Sequence, residues 1–363
     1  MKWSWKLGQI AGIGVYIHAT FFLLVGWVAL SHWTRGQNAG AAISGVLFIL
    51  ALFACVVAHE LGHALAARRY GIATRDITLL PIGGVARLER MPEKPSQELW
   101  VALAGPLVSI VISLALFVGL SLRASIVPLA GLDLMQGSFA ERLMVTNLFI
   151  ALFNLIPAFP MDGGRVLRAL LATRYEYTRA TNLAATIGQG LAFVFGFLGL
   201  FGNPLLLFIA FFVWIGAAQE SSLVQMKSAL GGIPVAHATI TNYHALSPYD
   251  TLEYVAGLVL GGFQQDFPVV EGGQPVGLLT RQDLVKALAE EGRERRVGEV
   301  MRRDFQVVDA GEMLETAFQT LQQCECRILP VMYQGRLVGL LTPDNLGEFL
   351  MIQSAMSGPD RQA

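Results

Sequence analysis

Long apolar runs separated by short polar segments fill the chain up to about Ser222, and beyond about Gly231 the pattern is that of a soluble domain. A helix of about 20 apolar residues can cross the hydrocarbon core of a bilayer, because a helix satisfies every backbone polar group there. Six runs come close to this length, at about residues 11–31, 43–68, 98–121, 141–158, 181–200 and 204–221. The pattern predicts a polytopic α-helical membrane protein with about six transmembrane helices and a C-terminal α/β domain.

Composition agrees with this division. Hydrophobic residues make up 54% of the chain and charged residues 15%, so that the chain is more apolar than soluble globular proteins are. The net charge of −1 gives no indication of a nucleic-acid partner. The first run follows Lys2 and Lys6 and resembles a secretory signal, but it is long for one and is interrupted by His18. We interpret it as a retained first helix.

Lysine and arginine are distributed unevenly between the two ends of the predicted spans. With the N-terminus inside, thirteen of these residues fall in inner segments and three, Arg35, Arg123 and Arg142, in outer ones. Cytoplasmic loops carry the excess of Lys and Arg, so we place the N-terminus in the cytoplasm of a multi-pass cell-membrane protein. An even number of spans places the C-terminal domain there too, where Cys324 and Cys326 would be reduced.

The second apolar run contains His59-Glu60-Leu61-Gly62-His63. On a helix, residues four apart share one face, so the two imidazoles can bind one metal ion while Glu60 faces a water on that metal. Zinc lowers the pKa of such a water to near neutrality, and Glu60 can take its proton and pass it to a leaving amine. Ionisable residues are costly in lipid and are functional there by default. A satisfied structural cluster is the alternative.

A catalytic zinc needs a third protein ligand and one open position. The segment from Asn154 to Gly164 ends the fourth run, and its two prolines and paired glycines break the helix. Asp162 can thereby turn back into the bundle, and we predict it as the third ligand. By spacing alone, a helix N-cap role for Asp162 is equally compatible. Asn154 is a candidate for a hydrogen bond to the substrate carbonyl, or else to a helix terminus.

Two further residues are candidate ligands, Cys55 in the second run and His18 in the first. Cys55 lies one turn before His59 on the same helix face. A fourth protein ligand would close the water position, so a small buried thiol is the preferred interpretation of Cys55. His18 is interpreted as a packing residue or a residue that supports the site, because no second ligand pattern surrounds it.

The soluble part contains an internal duplication. The segment beginning at Phe267 recurs at Leu329, a spacing of 62 residues (267 to 329). Each copy predicts the order helix, strand, turn, strand, helix. We therefore expect a transmembrane domain over residues 1–226 and two soluble copies over 233–290 and 295–352.

Three motifs together resemble the site-2 protease family of intramembrane zinc metalloproteases. They are HELGH in an apolar helix, AGPLVS at Ala104–Ser109 and NLIPAFPMDGG at Asn154–Gly164. The chain is similar to the subgroup with C-terminal CBS domains, which includes the sporulation pro-sigma-factor processing proteases. The resemblance implies that His59, His63 and Asp162 bind one Zn²⁺ and that Glu60 is the general base. It raises the ligand role of Asp162 above the N-cap alternative.

Two positions depart from the family pattern. Met161 stands where the family usually has Leu, and Ser109 stands where it often has Asn, which puts a role for that polar side chain in doubt. The stretch Ile77–Ala86 is apolar but too short to span, and its Pro and Gly pair argue against a helix. It resembles the membrane-dipping strand region of the family, where a strand edge could hold an unwound substrate. An interfacial loop is an equal alternative.

The duplicated segments resemble a pair of CBS domains. Such modules often bind adenine nucleotides through the Thr and Asp of a G-h-h-T-x-x-D pattern. The resemblance implies an ATP or AMP site that uses Thr280 and Asp283, with Thr342 in the second copy, where Asn345 replaces Asp. One intact site is expected. The alternative is a module for dimerisation or substrate docking that binds no ligand.

The expected function is regulated intramembrane proteolysis: a zinc metalloendopeptidase in the lipid bilayer hydrolyses membrane-anchored protein substrates. The CBS pair would bind adenine nucleotide, dock the substrate or form a homodimer. A CBS-regulated channel or transporter is the alternative from another class, but polar groups would then be spread along a pathway. A proteolytically inactive scaffold is disfavoured because HELGH and Asp162 are intact.

Overall fold

The computed structural model describes residues 3–34, 39–81, 83–122, 137–290, 292–324 and 327–357. Contacts within the chain divide it into two compact units, Met1–Ser222 and Leu223–Ala363. The first unit contains the apolar runs, and the second contains the internal duplication.

The described part of the first unit consists mainly of helices. They are α1 Ala19–Thr34, α2 Ala39–Arg68, α3 Pro95–Leu122, α4 Phe139–Asn154, α5 Asp162–Leu171, α6 Tyr177–Phe201 and α7 Leu205–Leu230, whose end belongs to the second unit. Among the described residues, α2 from Ala42, α3, α6 and α7 are long and apolar enough to cross a membrane. Helices α1 and α4 have 16 residues each and are shorter than the usual span. The expected six spans are thus confirmed only as four helices of spanning length.

A four-stranded sheet accompanies these helices. Its strands are β1 Ser4–Ile10, β2 Ile13–His18, β3 Thr74–Leu80 and β4 Gly83–Leu88, in that order across the sheet. β1 and β2 pair antiparallel, β2 and β3 parallel, and β3 and β4 antiparallel. β4 therefore forms one edge of the sheet.

The predicted helix over 11–31 is wrong in its first part, because residues 13–18 form strand β2 and the helix begins at Ala19. Ala11 and Gly12 have φ angles of 52° and 84°, which make a tight turn between β1 and β2. Strands on both sides then satisfy the backbone of β2. Val15 and Ile17 are buried against Phe21 and Phe53, which explains their apolar character without a helix.

The fourth apolar run also ends earlier than expected. Helix α4 ends at Asn154, and a turn segment leads from Leu155 to Met161 before α5 begins at Asp162. The prolines of this segment cannot continue a helix, so the chain reverses here. The turn places the start of α5 beside α3.

Both copies in the second unit fold in the predicted order. The elements are α8 Leu252–Gly261, β5 Phe267–Glu271, β6 Gln274–Leu279, α9 Arg281–Glu290, α10 Val297–Val300, β7 Val308–Asp309, α11 Leu314–Cys324, β8 Leu329–Tyr333, β9 Arg336–Leu341 and α12 Pro343–Ser357. Each copy has its own apolar core, with Leu279 buried in one and Leu341 in the other. The internal duplication is therefore a duplication of structure.

The cysteines differ from the expectation. Cys55 is a free thiol, whereas Cys324 at the end of α11 is disulfide-bonded. The expected reduced state is thus wrong for Cys324, and cysteine chemistry no longer supports a cytosolic location of the second unit. The uneven distribution of Lys and Arg still supports the expected cytosolic location of the second unit.

Candidate active site

Three buried ligand atoms meet where α2, α3 and α5 come together. The Nε2 atoms of His59 and His63 lie 3.2 Å apart, and they lie 3.2 and 3.1 Å from Oδ2 of Asp162. Among the described residues, these three form the group of His, Cys, Asp and Glu side chains that could hold a metal ion. The structure therefore brings together the three predicted ligands from two distant parts of the chain.

The spacing of the three atoms fits zinc. Ligand atoms about 2.0–2.1 Å from a tetrahedral zinc ion lie roughly 3.3–3.4 Å from one another, about 0.2 Å more than the distances observed here. Gly105 on α3 leaves the necessary space, because a Cβ at this position would lie 2.1 Å from His63 Nε2 and 2.6 Å from His59 Nε2. Two imidazole nitrogens and one carboxylate oxygen also form a typical donor set of catalytic zinc sites, with one position left for water.

Each histidine is held by the ring nitrogen that points away from the other ligands. His63 Nδ1 donates a hydrogen bond to the Val101 carbonyl oxygen at 2.7 Å. Because a carbonyl oxygen only accepts, a neutral His63 ring then presents the lone pair of Nε2 to a metal. His59 Nδ1 lies 3.0 Å from Ser109 Oγ. The polar side chain at position 109, whose role the family pattern left in doubt, therefore contacts a candidate ligand directly.

Asp162 is the first residue of α5. Its N-cap neighbour is Met161, so Asp162 does not cap the helix, and its carboxylate faces the two histidines. Paired glycines permit the tight turn before α5, since a Cβ at Gly163 would lie 2.2 Å from the Ile156 carbonyl oxygen. Burial alone would raise the pKa of Asp162, but the two imidazoles beside it lower this pKa below its usual range. Metal binding requires this ionised form of the carboxylate.

Glu60 lies between the two histidines in the sequence and reaches the edge of the sheet. Its Oε2 accepts a hydrogen bond from the Ala86 amide of β4 at 3.2 Å. The Ala86 amide thus points away from β3, and the outer edge of β4 faces Glu60. A Cβ at Gly84 would lie 2.8 Å from Glu60 Cγ, so this strand approaches α2 closely only because position 84 is glycine. The strand interpretation of Ile77–Ala86 is confirmed.

The weaker candidates lie apart from the three ligands. The Asn154 amide donates a hydrogen bond to the Ile150 carbonyl one turn earlier in α4, so the structure leaves its substrate role a prediction. Cys55 is partly buried and is not a member of the metal-type group. His18 Nδ1 lies 2.8 Å from Thr20 Oγ1 and accepts from the Thr20 amide, at the start of α1.

The predicted nucleotide contacts lie in the second unit. In the first copy, Thr280 Oγ1 donates to Asp283 at 2.5 Å, and Arg302 binds both oxygens of Asp283 at 2.7 and 2.9 Å. Burial opposes ionisation of Asp283, but the bonds from Arg302 and Thr280 outweigh it and lower the pKa of Asp283. The Asp283 carboxylate is therefore already engaged within the protein.

Thr342 in the second copy lines a cavity of about 570 Å³. The cavity walls also include Tyr243, Ile328 and Asn345. The volume lies within the range of sites for small organic ligands. The amide of Asn345 is held by the Ala238 carbonyl oxygen, which fixes one wall of the cavity.

Comparison with known proteins agrees with both units. The sequence profile of peptidase family M50 matches residues 47–127 and 133–195, and that of the CBS domain matches 235–290 and 297–351. The zinc metalloprotease MJ0392 of Methanocaldococcus jannaschii is 37% identical over 281 residues, 77% of this chain and 78% of that protein. Stage IV sporulation protein FB of Bacillus subtilis is 30% identical over 158 residues, 43% of this chain and 51% of that protein.

A solved site-2 protease from Methanocaldococcus jannaschii has 38% sequence identity to this chain and a TM-score of 0.44, and the match covers 60% of this chain and 95% of that one. Membrane-length helices, a zinc-type ligand group and a CBS pair define the class of the molecule, a multi-pass membrane protein of the metalloprotease type. Within that class, the chain belongs to peptidase family M50, the site-2 protease family of zinc metalloproteases. The predicted family resemblance is confirmed.

Proposed function

We propose that this protein is a zinc metalloendopeptidase that hydrolyses peptide bonds of membrane-anchored protein substrates in the bilayer. The observation that carries the proposal is the triangle of ligand atoms from His59, His63 and Asp162, with Glu60 on the same helix. The two histidines and Glu60 lie in a helix of membrane-spanning length. A site for hydrolysis on a helix of spanning length supports cleavage within the membrane-spanning region of a substrate.

His59, His63 and Asp162 would hold one zinc ion, which when bound supplies a Lewis acid for the scissile carbonyl and for water. Glu60 is not one of the three clustered ligands, so its carboxylate can accept a proton from the attacking water. Glu60 then returns this proton to the leaving amine nitrogen. The hydrogen bond from the Ala86 amide holds the Glu60 carboxylate at the edge of β4 while it does so.

The substrate would bind as an added strand along the outer edge of β4. A helical peptide bond is shielded by its neighbours, so a transmembrane substrate must unwind before it can be cut. An edge strand offers backbone groups for pairing with an extended peptide. Because the Ala86 amide on this edge points at Glu60, a peptide bound there would lie beside the general base. Asn154 is retained as a second contact for the substrate carbonyl.

The CBS pair would regulate the protease by binding an adenine nucleotide such as ATP or AMP. The cavity that contains Thr342 is the preferred site, because the Thr280 and Asp283 side chains of the other copy bind each other and Arg302. Substrate docking or formation of a homodimer without a nucleotide is the second candidate role for this unit.

The protein would lie in the cell membrane with its N-terminus and its CBS pair in the cytoplasm. The excess of Lys and Arg in the inner segments supports this orientation. Cleavage would then release a product on the cytoplasmic side.

Co-expression with single-span candidate substrates tests the proposal. Wild type is compared with Glu60→Gln and with His59→Ala, and zinc is measured in each purified protein. General-base catalysis contributes about 10²–10⁴-fold, so Glu60→Gln is expected to retain zinc while cleavage falls by at least a hundredfold. His59→Ala should lose both zinc and cleavage. Cleavage by Glu60→Gln at the wild-type rate, or a wild-type protein that binds no zinc, would contradict the proposed mechanism.

A further inference from the structure

Arg168 on α5 is completely buried, although arginine is among the residues least often found inside a protein. Its guanidinium joins two carboxylates from different helices. Nε lies 2.7 Å from Glu98 Oε1 on α3, and Nη1 lies 2.5 Å from Glu220 Oε1 on α7. The rings of Phe159 and Tyr177 lie 5.1 and 5.0 Å from the guanidinium carbon. One side chain thus connects α5 to α3, α6, α7 and the turn before α5.

This cluster of charges is costly to bury. The ion pairs of Arg168 bring two carboxylates and one guanidinium together, and among the described residues Oε2 of the fully buried Glu98 has no hydrogen-bond partner. Apolar side chains of similar size often pack helices together as well or better. Packing alone therefore does not account for the cluster. A requirement for a defined position of α5 relative to α3 and α7 accounts for it.

The partner of Arg168 on α3 shares a helix face with the groups that orient the histidines. Val101 is three positions after Glu98 in the sequence, and Ser109 is eleven positions after it. At 3.6 residues per turn, all three residues therefore lie on one side of α3. The Val101 carbonyl accepts from one histidine and Ser109 contacts the other. Glu98 holds the helix that begins with Asp162. One face of α3 is thus the common support for all three candidate ligands.

We propose that Arg168 is a positioning residue of the metal site, which acts by fixing the helix that carries Asp162. The inference rests on the proposed function, since it concerns how a proposed zinc ligand is held. Met161, the N-cap residue of α5, makes no side-chain capping bond to the described residues, so the bonds of Arg168 to Glu98 and Glu220 further along the helix are a side-chain restraint on the position of α5. Without Arg168, Glu98 and Glu220 would be like charges in a buried site, and their repulsion would shift α5 and its carboxylate.

A double-mutant cycle separates positioning from general stabilisation. Arg168→Lys keeps the charge but lacks the planar fork that binds two carboxylates and stacks between rings. Zinc affinity is measured by chelator competition on the purified full-length protein, with and without Asp162→Asn. We expect Arg168→Lys to lower zinc affinity at least tenfold when Asp162 is present and to have no further effect in the Asp162→Asn background. The absorption spectrum of bound Co²⁺ should change in Arg168→Lys, because the ligand geometry changes.

Arg179→Lys is the matched control, because Arg179 is exposed and its guanidinium lies over the ring of Tyr175, away from the carboxylate cluster. It should leave zinc affinity and the Co²⁺ spectrum unchanged. Wild-type affinity in Arg168→Lys, or an equal loss in both backgrounds, would overturn the inference. A wild-type protein that binds no zinc would instead contradict the proposed function, and with it the inference that depends on it.

A second variant serves if Arg168→Lys does not fold. Glu98→Gln combined with Arg168→Met removes the two fully buried opposite charges together, and the Glu220 carboxylate that remains is partly exposed to solvent. Positioning predicts a folded double variant with zinc affinity at least tenfold below wild type. A folded double variant with wild-type affinity would overturn the inference.

Discussion

Gly105 shows how strongly the metal site depends on single atoms. A Cβ at this position would lie 2.1 Å from His63 Nε2, closer than any real Cβ contact. In the middle of a helix, replacing Gly by Ala ordinarily stabilises by about 1 kcal/mol. We therefore expect Gly105→Ala to lose zinc, as measured by elemental analysis of the purified protein, although the substitution favours the helix itself.

Gly119→Ala is the control for Gly105→Ala. Gly119 lies on the same helix, and no atom of the described residues would lie within 4 Å of an added Cβ there. Gly119→Ala gains the same helix propensity but does not clash with the histidine rings, so its zinc content should stay at one ion per chain. Full zinc content in Gly105→Ala would show that the histidine rings can move aside, contrary to the geometry described.

Ser109 is expected to tune the metal site through His59. Loss of a group that orients a metal-bound histidine typically reduces metal affinity about 10–100-fold, and Ser109→Ala removes the hydroxyl that contacts His59 Nδ1. Chelator competition should show a loss in this range. Ser113→Ala is the matched control, because the Ser113 hydroxyl binds backbone carbonyls of Ser109 and Met144 and no metal ligand. Equal affinity of Ser109→Ala and Ser113→Ala would exclude the orienting role.

At the residue scale, the sequence predicted the three candidate ligands that the structure brings together, but not the buried charged residues beside them. His59, His63 and Asp162 stand in motifs whose spacing indicates metal chemistry. Arg168 is fully buried, although an arginine in a short segment between apolar runs is expected to face water. Its partners Glu98 and Glu220 are 70 and 52 residues away, and such distant pairs leave no periodic signal in one sequence.

Strand β4 makes its own prediction, because it touches α2 at a glycine. A Cβ at Gly84 would lie 2.8 Å from Glu60 Cγ and 2.9 Å from Val56 Cγ1, so Gly84→Ala should push β4 away from the general base. A displacement of about 1 Å can reduce catalysis about a hundredfold. We expect Gly84→Ala to lower the rate of substrate cleavage by about ten- to a hundredfold while zinc content stays unchanged.

Gly8→Ala is the control for Gly84→Ala, because it also replaces a glycine by alanine in the same sheet. Gly8 lies in β1, at the opposite edge, and no atom would lie within 4 Å of its added Cβ. Its cleavage rate should equal that of wild type. Loss of zinc in Gly84→Ala would show that the strand supports the metal site, and an unchanged cleavage rate would show that β4 does not position Glu60.

At the element scale, local pattern predicted the helices and the soluble repeat better than the sheet. Strand β2 was assigned to a helix because its residues continue an apolar run. Its partner β3 begins more than 50 residues later, and the parallel pairing that buries Val15 and Ile17 has no local signature. The segment Ile77–Ala86 is a local hairpin, but its Pro and Gly residues are compatible with a strand turn and with an interfacial loop, so its sequence does not decide between them.

At the scale of the whole molecule, the two copies of the second unit differ in what their threonine side chains contact. The two copies share one sequence pattern, but Asp283 binds Arg302 while Thr342 lines a cavity. The threonines also have the same local role, since Thr280 Oγ1 accepts from the Asp283 amide and Thr342 Oγ1 from the Asn345 amide. Alanine at either position therefore removes the same helix-capping contact, and the two variants form a matched pair.

AMP and ATP titrated against the full-length protein should distinguish the two copies. We expect wild type to bind and Thr342→Ala to bind about fivefold more weakly, because a hydrogen bond to a ligand contributes roughly 1 kcal/mol. Thr280→Ala should keep wild-type affinity, since its loss of the cap is the same but its side chain is engaged with Asp283. Weaker nucleotide binding by Thr280→Ala than by Thr342→Ala would place the nucleotide in the first copy. An absence of AMP and ATP binding to wild type would contradict the nucleotide-binding role and leave substrate docking or dimerisation as the role of the unit.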